Sequence, residues 1–282
     1  MPLPGSSQET VRVLHAPAYL RPWVVCAIAR QVGGAPGDVA HARVQANAFA
    51  CINVVREGEV RRSGRPLPRV FVTGPFSRPV VTTASGPLAS ASLVMQPWLL
   101  DPLLGLDARS LSDQIVSLAI RPALHEALLR LAGHPADDAS GAALWTAVAQ
   151  FLGAVPPVEP PLAFEMLRAD GVEAAAAACA CSARQYRRRF RQAMGLAPAA
   201  WLRITRWERA VSRLASVASH DSLADVSVAA GYADQAHMTR DIRDLADSTP
   251  AQLRRRLSAG HESWSLEPAR VRILQDEGIA PP

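Results

Sequence analysis

Between Ser182 and Gln192 the chain reads SARQYRRRFRQ, five arginines in eleven residues, and fifty-two positions further on a fainter copy recurs as DQAHMTRDIRD. The correspondence extends in register: Ala178 pairs with Ala230, Arg188 with Arg240, Phe190 with Ile242, Arg191 with Arg243, and Pro198 with Pro250. A tandem copy at a fixed period implies two similar supersecondary units placed side by side. In each, a short helix of small residues (172–180 and 223–230) leads through a turn to a capping residue, Ser182 or Asp234, and then to a second helix. Those second helices are expected over 182–193 and 234–245. Helix, turn and helix of this length is the plan whose second helix enters the major groove of DNA.

Helical periodicity divides each second helix into two faces. At about 100° per residue, Arg184, Arg187, Arg188 and Arg191 share one arc, and Tyr186 and Phe190 point away from it, bordered by Ala183 and Met194. In the copy, Met238, Ile242 and Leu245 form the apolar stripe, opposite Ala236, Thr239, Arg240 and Arg243. Gln235 falls in the first turn, where base edges are reached. Asp241 and Asp244 place carboxylates on the second helix, so the first is expected to carry more of the phosphate attraction. Between the units, PAAWLRITRWERAVSRLASV carries Trp201, Ile204, Ala210, Val211 and Leu214 at helical spacing, a connector anchored by Trp201 and Trp207.

Charge distribution agrees with a phosphate-binding module. Of the 30 basic residues, all arginine, 15 lie in 162–258 against 10 acidic residues, whereas 1–161 holds 13 against 11. The net charge of +5 is therefore concentrated in one third of the chain. No apolar stretch is long enough to cross a bilayer and the first residues, MPLPGSSQET, lack a signal-peptide pattern, so no membrane association and a cytoplasmic location are expected.

The front of the chain reads as β-rich. Segments 11–14, 23–32, 48–55, 70–73, 80–83 and 91–95 are short and rich in Val or small apolar residues, separated by GGAPGD, SGRPLP and TGPFSRP, a pattern of small barrels and sandwiches. Ser85-Gly86 reads as a turn. Helices are expected at 111–118, 123–131 and 142–152, and their amphipathic stripes suggest a dimer interface. VPPVEPP, residues 155–161, reads as a semi-rigid spacer. The resulting plan is an α+β multidomain chain. A β-rich cupin-like barrel covers 1–106, a helical extension 107–154, the spacer 155–161, an all-α tandem helix-turn-helix domain 162–258, and a tail with one possible strand at 270–274 covers 259–282.

The segment LRADGVEAAAAACACSARQYRRRFRQAMGLAPAAWLRITRWERAV, followed by SLADVSVAAGYADQAHMTRDIRDLADSTPAQLRRR, resembles the AraC/XylS transcriptional regulators. The more specific half is the string from Gly231 to Pro250, GY-x-D-Q-x-H-x-x-R-x-x-R followed by TP. The fragments TGPFSRP and LLGLDARSLSDQIVSL are similar to one N-terminal domain type associated with that family. The resemblance implies DNA-reading positions at Arg184, Arg187 and Arg188, and at Gln235, Ala236, His237, Thr239 and Arg240; Ser182, Gln185, Arg191 and Arg243 on the same two helices complete the candidate DNA-binding set. Double-stranded DNA and RNA polymerase are the expected partners and activation of transcription the expected outcome, and the homodimer expected from the helices at 111–152 would make the operator a repeat of half-sites. Ile242 stands where the family has Phe, and Asp247 where it has Gly at the helix end.

No catalytic pattern accompanies this. His15 and His41 are the only histidines before residue 120, without a metal-ligand spacing, and no GxSxG, Walker or GxGxxG motif occurs. Cys26 and Cys51 alone cannot build the four-cysteine zinc site of methyl-accepting repair domains that some relatives carry. No enzyme activity, metal or cofactor is expected. The front domain reads as a sensor of a small-molecule effector, with Trp23, Phe49, Phe71, Phe76 and Trp98 as candidate cavity residues. The competing reading is a protein whose arginine helix docks an acidic partner rather than DNA.

Overall fold

The structure is a computed structural model that describes residues 9–35, 38–134, 137–153, 165, 169, 171–215 and 221–258. The expected spacer at 155–161 and the expected strand at 270–274 lie outside the described residues.

Eight antiparallel strands form one sheet: β1 (Glu9–His15), β2 (Val24–Val32), β3 (Val39–Val44), β4 (Ala50–Arg62), β5 (Arg65–Pro66), β6 (Val70–Thr73), β7 (Val80–Met95) and β8 (Ile115–Ser117). Their order is β1-β2-β7-β4-β6-β8, with β3 also on β7 and β5 on β4. Ser85-Gly86 is not the turn that the sequence suggested. β7 runs through it for sixteen residues, pairing β3 along its first half and β2 along its second. Gly86 takes φ +70°, and β4 shifts register opposite it at Val55–Glu57 and Glu57–Glu59. A proline in a strand interior is tolerated at such an irregularity. The two strands also approach closely there: a Cβ on Gly58 would lie 2.4 Å from the Pro87 carbonyl oxygen, so only glycine fits.

Period-two alternation sorts the side chains onto two faces. Ala27, Ala29, Ile52, Val54, Ala91 and Leu93 point to one side and join the main core under the helices. Ile28, Arg30, Cys51, Asn53, Ser90 and Ser92 point to the other and line a cavity in the curl of the sheet. α3 (Pro122–Gly133) and α4 (Asp138–Leu152) cover the first face, with Leu124, Leu128, Leu131, Leu144, Val148 and Phe151 buried. The stripes that the sequence offered to a second copy are thus buried within the chain itself.

The helix expected at 111–118 is absent. A short α2 (Ala108–Leu111), capped by Asp107, follows α1 (Leu100–Leu104). The chain then turns at Asp113, whose φ is +60°, and continues as β8, which pairs with β6. Asp113 accepts hydrogen bonds from the backbone N–H and the hydroxyl of Ser77 at 2.8 and 2.7 Å. That anchor, with β-branched Ile115 and Val116 able to complete a sheet edge, outweighs the helical spacing of the leucines.

The C-terminal domain is all helix: α5 (Val172–Ala178), α6 (Ala183–Met194), α7 (Pro198–Ala215), α8 (Leu223–Ala229), α9 (Gln235–Ala246) and α10 (Pro250–Ser258). The repeat is present but not gapless. The second helices of the two units, α6 and α9, begin 52 residues apart, while α5 and α8 begin 51 apart, so the turn before α9 is one residue longer. One apolar cluster runs from the sheet through Trp98, Leu99 and Leu111 into Tyr186, Phe190, Trp201 and Trp207. The two domains share a core at this seam.

Candidate nucleic-acid interface

α6 starts with a capping box: the Ser182 hydroxyl accepts from the Gln185 backbone N–H, and the Gln185 side-chain oxygen accepts from the Ser182 backbone N–H. α9 starts on Asp234, whose carboxylate accepts from the His237 N–H at 2.6 Å. Both helices end on a left-handed residue, Gly195 at φ +72° and Asp247 at φ +51°. Asp247 therefore takes up the left-handed conformation that Gly195 supplies at the end of α6.

Tyr186, Phe190 and Met194 of α6 are buried, as are Met238, Ile242 and Leu245 of α9. The opposite faces are open: Arg184, Gln185, Arg187, Arg188 and Arg191 on α6, and Gln235, Ala236, Arg240 and Arg243 on α9, are exposed. Phe190 packs edge-on against Trp201 of α7, with ring centroids 5.6 Å apart. The tryptophans of the connector, Trp201 and Trp207, are almost fully buried.

Several of the sequence-selected residues have local partners. Arg187 is paired with Glu173 of α5 at 2.8 Å. Thr239 donates its hydroxyl to the Gln235 carbonyl oxygen at 2.8 Å. His237 is half-buried, edge-on to the Tyr232 ring at a centroid distance of 5.1 Å. These contacts hold the side chains in place, and Arg184, Arg188, Arg191, Gln235, Ala236, Arg240 and Arg243 remain the open members. Arg203 was absent from the expected site. It lies on α7 and donates to Asp241 and Asp244 of α9, each at 2.6 Å. Helical spacing on α9 gives the two carboxylates a direction but no partner, because Arg203 comes from a different helix.

In the N-terminal domain the cavity of about 130 Å³ is lined by Phe71 and Phe76 among apolar and small polar residues, with Arg30 as a charged member. Inside it Ser92 donates to the Asn53 side-chain oxygen at 2.7 Å. Burial pushes the Cys51 thiol up to about 12, with Thr73 acting in the opposite direction. Trp23, Phe49 and Trp98 lie elsewhere: Phe49 is in a small cluster with Val25 and Val94, and Trp23 and Trp98 belong to the main core. Among the described residues no helix is long and apolar enough to cross a membrane, and no three His, Cys, Asp or Glu side chains converge as a metal site would need.

The family model described as "Helix-turn-helix domain" matches residues 175–256. No curated protein matches the chain. Among solved structures, ToxT from Vibrio cholerae is similar at 8% identity, with a TM-score of 0.46 and coverage of 88% of this chain and 98% of that one. ToxT with an unsaturated fatty acid bound is similar at 8% identity and TM-score 0.45, covering 90% of this chain and 97% of that one. ToxT bound to (E)-4-(8-methylnaphthalen-1-yl)but-3-enoic acid is similar at 7% identity and TM-score 0.46, covering 89% and 100%. The matched residues, 175–256, are the ones in which the structure places two capped helices on a shared connector, so this part of the chain is a helix-turn-helix domain.

Proposed function

We propose that the chain is a sequence-specific transcription regulator that reads two successive major grooves with α6 and α9 under the control of its N-terminal domain. One observation carries this reading: both helices bury an apolar stripe on one connector helix and present a polar face, arginine-rich on α6, to the outside. Within α6, Arg184 and Arg188 supply guanine and phosphate contacts. Within α9, Gln235 and Arg240 read base edges and phosphates, and Ala236 offers only apolar contact, suited to a thymine methyl. A protein partner recognised by positive charge alone would not account for the first turns of α9, where Gln235, Ala236 and His237 carry little charge.

The N-terminal cavity supports a small effector. At about 130 Å³ it is close to cavities of about 150 Å³ that hold a single benzene ring, and the Asn53–Ser92 pair provides a polar anchor. Homodimerisation and cytoplasmic residence are carried over from the sequence as proposals, and contact with RNA polymerase and transcriptional activation rest on the family resemblance. Light scattering of the full chain with and without DNA tests the first.

Enrichment of a preferred sequence from a pool of random duplexes tests the central reading. A recurring two-part motif is expected, and Arg188→Ala should weaken binding to it by roughly tenfold, about 1.4 kcal/mol. An unenriched pool would overturn it.

A further inference from the structure

The last two turns of α6 do not face open solvent alone. Arg187, Arg188 and Arg191, with Ala197 and Pro198, border a cleft whose other wall is Arg109 of α2 in the N-terminal domain. Four arginines from two domains line it. Glu173 pairs with Arg187 at 2.8 Å, and Asp107 forms a looser ion pair with Arg109 at 3.6 Å. Among the described residues Arg188 and Arg191 have no carboxylate partner. The seam beside the cleft is set firmly, because Ser112 donates its hydroxyl to the Gly195 carbonyl oxygen at 2.6 Å. Arg109 is therefore held next to α6, not carried on a free loop.

Dimensions indicate what fills such a cleft. A helix of twelve residues is about 18 Å long, whereas the major groove is about 12 Å wide. With the first turns of α6 seated on base edges, its last turns extend over the flanking sugar–phosphate backbone. A cleft lined with arginines at that end of the helix matches a phosphodiester in charge and in the planar donor geometry of guanidinium.

We propose that Arg109 joins Arg188 and Arg191 in holding a backbone phosphate, which makes the N-terminal domain part of the DNA interface. This rests on the DNA-reading function proposed above. It also gives that domain a direct route of control: any shift of α2 against α6 changes a contact to DNA.

The test uses the full-length chain, a duplex enriched by it from a random pool and a scrambled duplex, with affinity followed by fluorescence anisotropy from roughly 0.05 to 0.3 M salt. Arg109→Ala should weaken both duplexes by about three- to tenfold, lower the slope of log affinity against log salt by about one, and leave the preferred sequence unchanged. Arg109→Lys should restore most of the slope. Side-chain exposure of 62% at Arg109 makes a folding defect an unsuitable explanation, and circular dichroism checks it. An unchanged slope for Arg109→Ala, while Arg188→Ala reduces it, would overturn the proposal and leave the DNA reading intact. Failure of both variants to alter DNA binding would overturn the proposal and remove Arg188 from the reading positions, whereas an unenriched pool would overturn the DNA reading itself. Stabilisation of the wild type by inorganic phosphate, lost in Arg109→Ala with the DNA slope unchanged, would assign the cleft to a free anion and equally overturn the proposal.

Discussion

Arg203 and Asp241 form an ion pair at 2.6 Å that joins the connector helix α7 to the second reading helix α9. The same guanidinium bridges Asp244 at 2.6 Å, so one arginine fixes two successive turns of α9. The sequence suggested that these carboxylates would oppose phosphate binding. Their pairing with Arg203 instead turns them into the device that sets the orientation of α9 relative to α7, and so to α6.

Replacing Arg203 with Met should destabilise the chain by about 2 kcal/mol, less than for a fully buried pair because the arginine is partly exposed. Urea unfolding measures the loss. A double-mutant cycle with Asp241→Asn should show coupling, and simple additivity would refute the pairing. Affinity for a duplex carrying both half-motifs should fall more than affinity for one half alone.

The two helix ends test backbone conformation. A Cβ on Gly195 would lie 2.7 Å from the Ala108 carbonyl oxygen and 2.8 Å from the Ser112 hydroxyl, besides the positive φ. Gly195→Ala should therefore cost more than about 2 kcal/mol and loosen the domain seam. Asp247→Gly should stabilise by about 0.5–1 kcal/mol, since it relieves a left-handed non-glycine residue. Thermal unfolding of the two variants should move in opposite directions.

Glu208 of α7 is buried at the seam, its carboxyl oxygens without a hydrogen-bond partner that meets good geometry. Burial pushes the carboxyl up to about 8, with the backbone of Ala48 and the charge of Arg209 pulling it back. An unfolded chain releases that proton near 4.5. Between the two values the native state binds more protons, so the stabilising contribution is full below about 4.5 and is lost as pH rises towards 8. The slope is at most about 1.4 kcal/mol per pH unit. Glu208→Gln should flatten the profile of melting temperature against pH, and a profile equal to the wild type would rule this out.

Ser182→Ala should cost about 1 kcal/mol through loss of the cap, and Ser182→Asp should retain most of the stability. If Ser182 also contacts DNA, Ser182→Asp will weaken binding at unchanged stability. Equal affinity would leave it a capping residue only. Anisotropy and thermal unfolding on the same samples separate the roles.

Much of the C-terminal domain was legible before any coordinates. The caps at Ser182 and Asp234, the buried stripes of Tyr186–Phe190 and Met238–Ile242, and the tryptophan anchors follow from local signals: hydrogen-bond chemistry at a helix start and the 3.6-residue period. The front domain was less so. Its β-rich character was readable from punctuation and composition, but β7 crosses a Ser-Gly-Pro segment because β4 bends with it, and β8 replaces a helix because β6 has an edge to offer. Strand partners are distant in sequence, so no window around Gly86 or Leu111 contains the deciding information.

The amino-acid sequence by itself determined two amphipathic helices, each with its cap and its open polar face, because both properties are encoded within a dozen neighbouring residues. The tertiary structure alone decided what surrounds them: Arg203 neutralising Asp241 and Asp244, Glu208 buried against the front domain, and Arg109 delivered to the end of α6. Electrostatic partners are chosen by distance in space, and charges thirty to eighty residues apart in the chain acquire that distance only when the two domains pack.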